Sequence, residues 1–291
     1  MAGVTGAPSL ELHGELTLTD LHDASQDAWD DEQGRFVFER ANFEGAVFQG
    51  SMNFERADFG SATFRGATFQ GPVSFNGAHF HGEARFDSVT FEGTASFKNA
   101  VFDGEALFAL PEGEEEIAEW PEEVTFKRWA DFRQATFVGT ANFGGAHFER
   151  RARFRGGGFQ ASAVFTGATF ARARTIGPIE VAQTLDLDRV AFGAPVRIRV
   201  GADLVSCKGT QFQSLTTIDL LLTGDVTLEE AAFAEPSTVT GRASGPKPRV
   251  VGLDRANVAH LTLADLDLRD CSFLGVHNLD GLRFEGGTEF P

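Results

Sequence analysis

The chain has 291 residues, 42% of them hydrophobic, enough to bury a globular-sized core in one large domain or two small ones. Its 42 acidic against 25 basic residues give a formal charge of −17, which argues against a generally basic nucleic-acid binder. No stretch approaches the roughly 18 uninterrupted apolar residues of a helical membrane span. Cys207 and Cys271 have no CxxC or metal-like spacing, so neither a disulfide framework nor a zinc motif is expected and a reducing compartment fits best. The opening MAGVTGAPSLELHGEL lacks a basic segment followed by an apolar one, and the chain reads as cytoplasmic.

Residues 1–35 precede any clean repeat and end in the acidic ASQDAWDDEQ. They read as a partly helical N-terminal cap with Trp29 covering the first repeat. Much of the charge sits here and in a second acidic stretch. Glu11 to Glu32 holds eight carboxylates and Pro111 to Glu123 holds seven, neither with Lys or Arg. The remainder has 27 carboxylates against 25 basic residues, so the main body is nearly neutral.

From residue 36 the sequence is periodic. Phe recurs at 38, 43, 48, 54, 59, 64, 69, 75, 80, 86, 91, 97, 102 and 108, and again at 126, 132, 137, 143, 148, 154, 159, 165 and 170. From Phe69 the gaps alternate six and five, an 11-residue unit whose double is 22. A helix needs spacings of three and four and a hairpin strand needs two, so neither accounts for this rhythm. A chain that turns a corner after each short strand does. Ala lies two before most of these Phe, as at Ala41, Ala62, Ala130 and Ala152, and shares their inward face. Gly lies two after many, including Gly45, Gly66, Gly71, Gly82, Gly93 and Gly139, where a positive φ is expected to make the corner. The composition agrees. Thirty Phe and no Tyr imply rings in places where a hydroxyl has no partner.

The runs FERANFEGAVF, FERADFGSATFRGATF and FVGTANFGGAHF resemble pentapeptide-repeat proteins, in which a central Leu or Phe and a small residue two before it line a four-sided right-handed β-helix. The resemblance implies an all-β quadrilateral solenoid of about 22 residues per coil, stabilised mainly by contacts between neighbouring coils. It covers about 36–240 and again 250–290. The main β-helix, 36–240, is interrupted at 109–125 by LPEGEEEIAEWPEEV, an insertion that reads as a projecting acidic loop pinned by Trp120. After Phe170 the inward set turns aliphatic: Ile176, Val181, Leu187, Phe192, Ile198, Leu204, Phe212, Ile218, Leu228, Phe233 and Val239. GRASGPKPR at 241–249 reads as a linker loop. C-terminal coils follow over 250–291, with Leu253, Val258, Leu263, Leu268, Phe273, Leu279, Phe284 and Phe290 inward. The ending HNLDGLRFEGGTEFP resembles the end of the soluble repeat region in larger, membrane-linked pentapeptide-repeat proteins.

No catalytic, metal or cofactor-binding arrangement stands out, and no cofactor is expected. His79 and His81 are close enough in sequence to share a metal, but no carboxylate cluster adjoins them in the chain. Cys271, two before Phe273, reads as a packing residue; the periodicity gives Cys207 no role. Arg128, Arg150 and Arg172 are 22 apart and fall in the same gap, so successive coils stack them about 5 Å apart, with Arg151, Arg153, Arg174, Arg197 and Arg199 nearby. Such a row is either neutralised by neighbouring acids or held for an anionic partner. The candidate interaction surface is therefore Glu114, Glu115, Glu116, Trp120, Arg128, Arg150 and Arg172. The core ladder beneath it is Phe132, Phe137, Phe143, Phe148, Phe154, Phe159, Phe165 and Phe170.

The functional expectation is a non-enzymatic scaffold for a protein partner that the sequence does not identify. The alternative implied by the resemblance is a DNA mimic, an acidic and usually dimeric rod that binds or protects a type II topoisomerase such as gyrase. The near-neutral body argues against it, because a mimic needs carboxylates along its length. A sugar-cleaving β-helix needs paired carboxylates in a groove, which no spacing here indicates.

Overall fold

The computed structural model describes residues 9–11, 14–16, 28–111, 123–222 and 224–290. Two-residue strands on the first and third faces turn their first side chain outward and their Phe inward, as at Val47–Phe48, Thr68–Phe69, His79–Phe80 and Thr90–Phe91, while those on the other two faces turn the small first residue inward just before the next Phe, as at Ala84–Arg85 and Ala95–Ser96. The chain then turns a corner and repeats. Phe132, Phe137, Phe143 and Phe148 occupy four successive faces, and Phe154 closes the coil by stacking on Phe132 22 residues later. The result is an all-β parallel solenoid of about 11 turns and about 22 residues per coil. At about 4.8 Å per rung the rod is roughly 50 Å long. Among the described residues, antiparallel pairing is confined to Trp29–Asp30 against Arg35 and Phe36. No helix of these residues is long and apolar enough to cross a membrane.

Four columns fill the interior. The first face stacks Phe38, Phe59, Phe80, Phe102, Phe137 and Phe159. The second stacks Phe43, Phe64, Phe86, Phe108, Phe143 and Phe165. The third begins at Phe48 and the fourth at Phe54. Centroids within a column lie 4.5 Å apart at Phe108–Phe143 and 5.1 Å at Phe132–Phe154, whose planes differ by 1°. Across the interior the rings meet edge to face, as Phe132 and Phe143 do at 5.2 Å and 81°. Such contacts add about 0.5–1.5 kcal/mol per pair beyond area burial. Phe132, Phe137, Phe143, Phe148, Phe154, Phe159, Phe165 and Phe170 are each 2% exposed or less. A phenol in their place would bury an unpaired hydroxyl, which explains the absence of Tyr.

The corners are of two kinds, a correction to the single turn expected from glycine spacing. After the second and fourth faces, Leu110 at the acidic insertion apart, the residue two beyond the inward Phe has positive φ, and it is Gly at 45, 66, 77, 145, 156 and 167 but Arg56, Ser88, Asn99 and Gln134 at the others. After the first and third faces glycine, apart from Gly50 with its φ of 76°, serves a different need. Gly71, Gly82, Gly93, Gly104 and Gly139 do not have positive φ; they pack backbone against the coil below. A Cβ on Gly82 would lie 2.5 Å from the Gly60 carbonyl oxygen, and one on Gly93 2.3 Å from the Gly71 carbonyl carbon.

Beyond Phe170 the third column keeps Phe192, Phe212 and Phe233, while the fourth becomes Ile176, Ile198, Ile218 and Val239. The second becomes Leu187, Cys207, Leu228 and Leu253, each donating its amide to the next coil. Leu204, expected inward, is half-buried on the outer side, and Val205 and Cys207 fill the interior instead. The reason is a shortened coil: Leu187 to Cys207 spans 20 residues, and the strand Leu204–Ser206 places its middle residue inside. On either side of 241–249 the ladder is shared, Arg249–Gly252 pairing with Asp225–Thr227 and Leu261–Ala264 with Ser237–Thr240. Leu253, Val258, Leu263 and Leu268 are buried. Phe273, Leu279, Phe284 and Phe290, expected inward, belong to the last described coil and are 37–52% exposed because no described coil covers them. At the other end Ser9–Glu11 pairs with Arg40–Asn42 and Glu15–Leu16 with Val47–Phe48, and Trp29 meets Phe36 edge-on at 5.0 Å.

The two kinds of corner respond differently to the same substitution. Gly167, with open space around its Cβ position, should tolerate alanine at a cost of about 1–2 kcal/mol for the left-handed backbone. Gly82→Ala should cost more, because the coil below must move. Urea midpoints of the two variants decide it, and equal losses would contradict the distinction.

Candidate functional site: an arginine corner

The corner between the third and fourth faces starts as a glycine column. Gly50, Gly71 and Gly93 stack there so closely that a Cβ on Gly71 would lie on the Gly50 carbonyl. Beyond the acidic insertion the same position is taken by arginine. Phe126, Phe148 and Phe170 are paired in parallel register, so Arg128, Arg150 and Arg172, each two residues later, fall one above another. The chain thus exchanges its smallest residue for a long cation in three successive coils.

A groove of about 690 Å³ lies along this corner. Arg150, Arg151, Arg172 and Arg174 line it together with Trp129 and the Ala194–Pro195 turn. Arg128 is exposed at the same corner but does not line the groove. Two further hollows continue onto the fourth face, one lined by Arg151, Arg153 and Arg174 and one by Arg133, Arg153 and Arg155. Trp129, 48% exposed, carries the Arg153 guanidinium 4.9 Å over its ring, a cation–π contact between neighbouring coils.

Two carboxylates neutralise part of this charge. Asp131 takes Arg133 at 2.6 Å and Arg153 at 3.9 Å; Asp219 takes Arg197 at 2.7 Å and Arg199 at 3.6 Å. Arg128, Arg150, Arg151, Arg172 and Arg174 make no ion pair or side-chain hydrogen bond among the described residues. The other part of the expected surface, Glu114, Glu115, Glu116 and Trp120, lies outside the described residues. The sequence pointed to the stacked arginines by their 22-residue spacing. That spacing did not single out Trp129, whose place directly after Arg128 was the signal for it.

Burial alone would raise the Asp131 carboxyl, but the side-chain and backbone hydrogen bonds from Arg133, with the charges of Arg133 and Arg153, outweigh it and hold the group below its usual range. Neither cysteine is placed for reactivity. Cys207 sits in the second column with its thiol pushed up by burial and by Asp188 and Asp186, and burial raises Cys271 to about 12. His147 pairs with Glu123 at 2.6 Å and with the Thr169 hydroxyl at 2.7 Å. His79 and His81 lie on the diagonally opposite corner, between the first and second faces.

Comparison with known families agrees with the architecture. The model for pentapeptide repeats (nine copies) matches residues 34–79, 75–109 and 122–157, so it takes in the glycine corner and the first two of the stacked arginines. No curated protein and no solved structure matches the chain.

The lowered Asp131 carboxyl makes a pH-dependent contribution. A carboxyl held below its unfolded pKa of about 4 stabilises the fold above that value and loses the contribution as pH falls through it toward the lower folded pKa. The thermal midpoint of Asp131→Asn should therefore fall less than that of the wild type between about pH 5 and pH 2. Identical acid profiles would mean that the Asp131–Arg133–Arg153 cluster contributes nothing to stability.

Proposed function

Since the chain is a pentapeptide-repeat β-solenoid, we propose that it is a non-enzymatic scaffold that holds an acidic segment of a partner protein along its arginine corner. The observation that carries the reading is the groove beside Trp129 in which Arg150, Arg151, Arg172 and Arg174 converge with no ion-pair partner among the described residues. Like charges stacked on successive rungs repel one another, so an arrangement that leaves them unpaired favours an anionic occupant. Arginine suits the role, because its planar fork takes carboxylates two oxygens at a time and loses little entropy on doing so. The indole and Pro195 add apolar area for an aromatic or aliphatic side chain between the acids.

The rigid ladder supports this reading, since a surface spaced by backbone hydrogen bonds binds without first ordering itself. The arginine corner weighs against imitation of DNA, for which the exposed charge would be of the opposite sign.

The test is affinity capture from extracts of the native host with wild type and with the double variant Arg150→Glu, Arg172→Glu. The expected result is a specific protein bound by the wild type, released by raised salt, and bound at least about tenfold more weakly by the variant. Capture unaffected by the variant, or no specific partner, would overturn the proposal. Inhibition of gyrase supercoiling by purified protein would favour the DNA-mimic alternative instead.

A further inference from the structure

Coil stacking creates a cluster that the linear sequence hides. His79 and His81 flank the inward Phe80 and both turn outward, with ring centroids 3.8 Å apart and planes inclined by 39°. The coil below places Asp58 directly against His79 in the parallel ladder, since Asp58 pairs with His79 and Phe59 with Phe80. The coil above contributes Asp103, whose amide bonds to the Phe80 carbonyl and whose carboxylate reaches both rings. Asp103 Oδ2 lies 2.7 Å from His79 Nε2 and 3.5 Å from His81 Nδ1.

We propose that Asp58, His79 and His81, with Asp103, form a binding site for a divalent transition-metal cation of the Zn²⁺ type. One ligand atom from each of Asp58, His79 and His81 lies within 4.8 Å of the other two. Ligands at about 2.0–2.2 Å from a tetrahedral zinc are roughly 3.3 Å from one another, so side-chain rotations of modest size close the site. Two imidazoles with carboxylates select borderline metals over Ca²⁺ or Mg²⁺, which prefer all-oxygen shells. Asp58, His79 and His81 are half-buried, at 13%, 34% and 25% exposed, and Asp103 is exposed at 42%, so an ion would be partly shielded yet reachable from solvent. The residue beneath His81 is Gly60, which puts no side chain into the space between Asp58 and the two rings.

Charge balance permits a dication. Arg35 Nη1 holds Asp58 Oδ2 at 2.5 Å, which leaves Oδ1 for the metal and orients the carboxylate from behind. The charges of Asp58 and Asp103 offset Arg35 and half of the metal. Bound there, the ion would tie three successive coils together on the corner opposite the arginines.

Calorimetric titration of the full chain with Zn²⁺, and visible absorption on addition of Co²⁺, test the proposal. The expected result is one equivalent bound, a tetrahedral d–d spectrum for Co²⁺, and a raised thermal midpoint in excess Zn²⁺. His79→Ala and His81→Ala are surface changes that should leave the apo midpoint near wild type. Each should weaken binding at least about tenfold and abolish the metal-induced shift. Asp103→Asn should weaken binding less than either. No stoichiometric binding, or binding that survives His79→Ala with His81→Ala, would overturn the assignment.

Discussion

Ring-on-ring stacking at the coil repeat governs this molecule. A Phe ring placed 4.5–5.5 Å above its counterpart requires each coil to return to the same lateral position after four corners. The backbone ladder imposes nearly the same spacing, so ring stacking and hydrogen bonding reinforce each other. Where the columns turn aliphatic after Phe170 the constraint relaxes, and coil length drifts from the 22 residues between Ile176 and Ile198 to 20 between Ile198 and Ile218. The third column alone keeps its Phe as far as Phe233, and its two-residue strands keep their form with it.

The same constraint decides what the outside can display. With two residues of each five or six committed to the interior, each rung offers a few outward positions, and the ladder multiplies each choice along the rod. A glycine column at one corner becomes an arginine column three coils long; a pair of histidines becomes a four-residue cluster once the coils above and below supply aspartates. Sites on such a rod therefore come from residues about 22 apart, and proximity within the chain is a poor guide to them. Electrostatics follow this geometry: Asp131 and Asp219 each serve two arginines, while the arginines of the corner itself have no such neighbour among the described residues.

The gaps of five and six between Phe residues exposed a chain that corners after each short strand and the 22-residue spacing of Arg128, Arg150 and Arg172, because burial of a large ring is a property that composition and spacing expose directly; the four-sided all-β solenoid came with the resemblance of those runs to pentapeptide repeats. Three things were decided only by the tertiary structure. Glycine has two uses, positive φ at Gly45 and backbone contact at Gly82, which look identical in sequence because both favour a residue without a side chain. Cys207 and Val205, not Leu204, fill the interior, since a coil two residues short shifts the frame without any local mark. Asp58 and Asp103 join His79 and His81 across coils, for the partners of an outward residue are fixed by rung-to-rung hydrogen bonding and not by their distance along the chain.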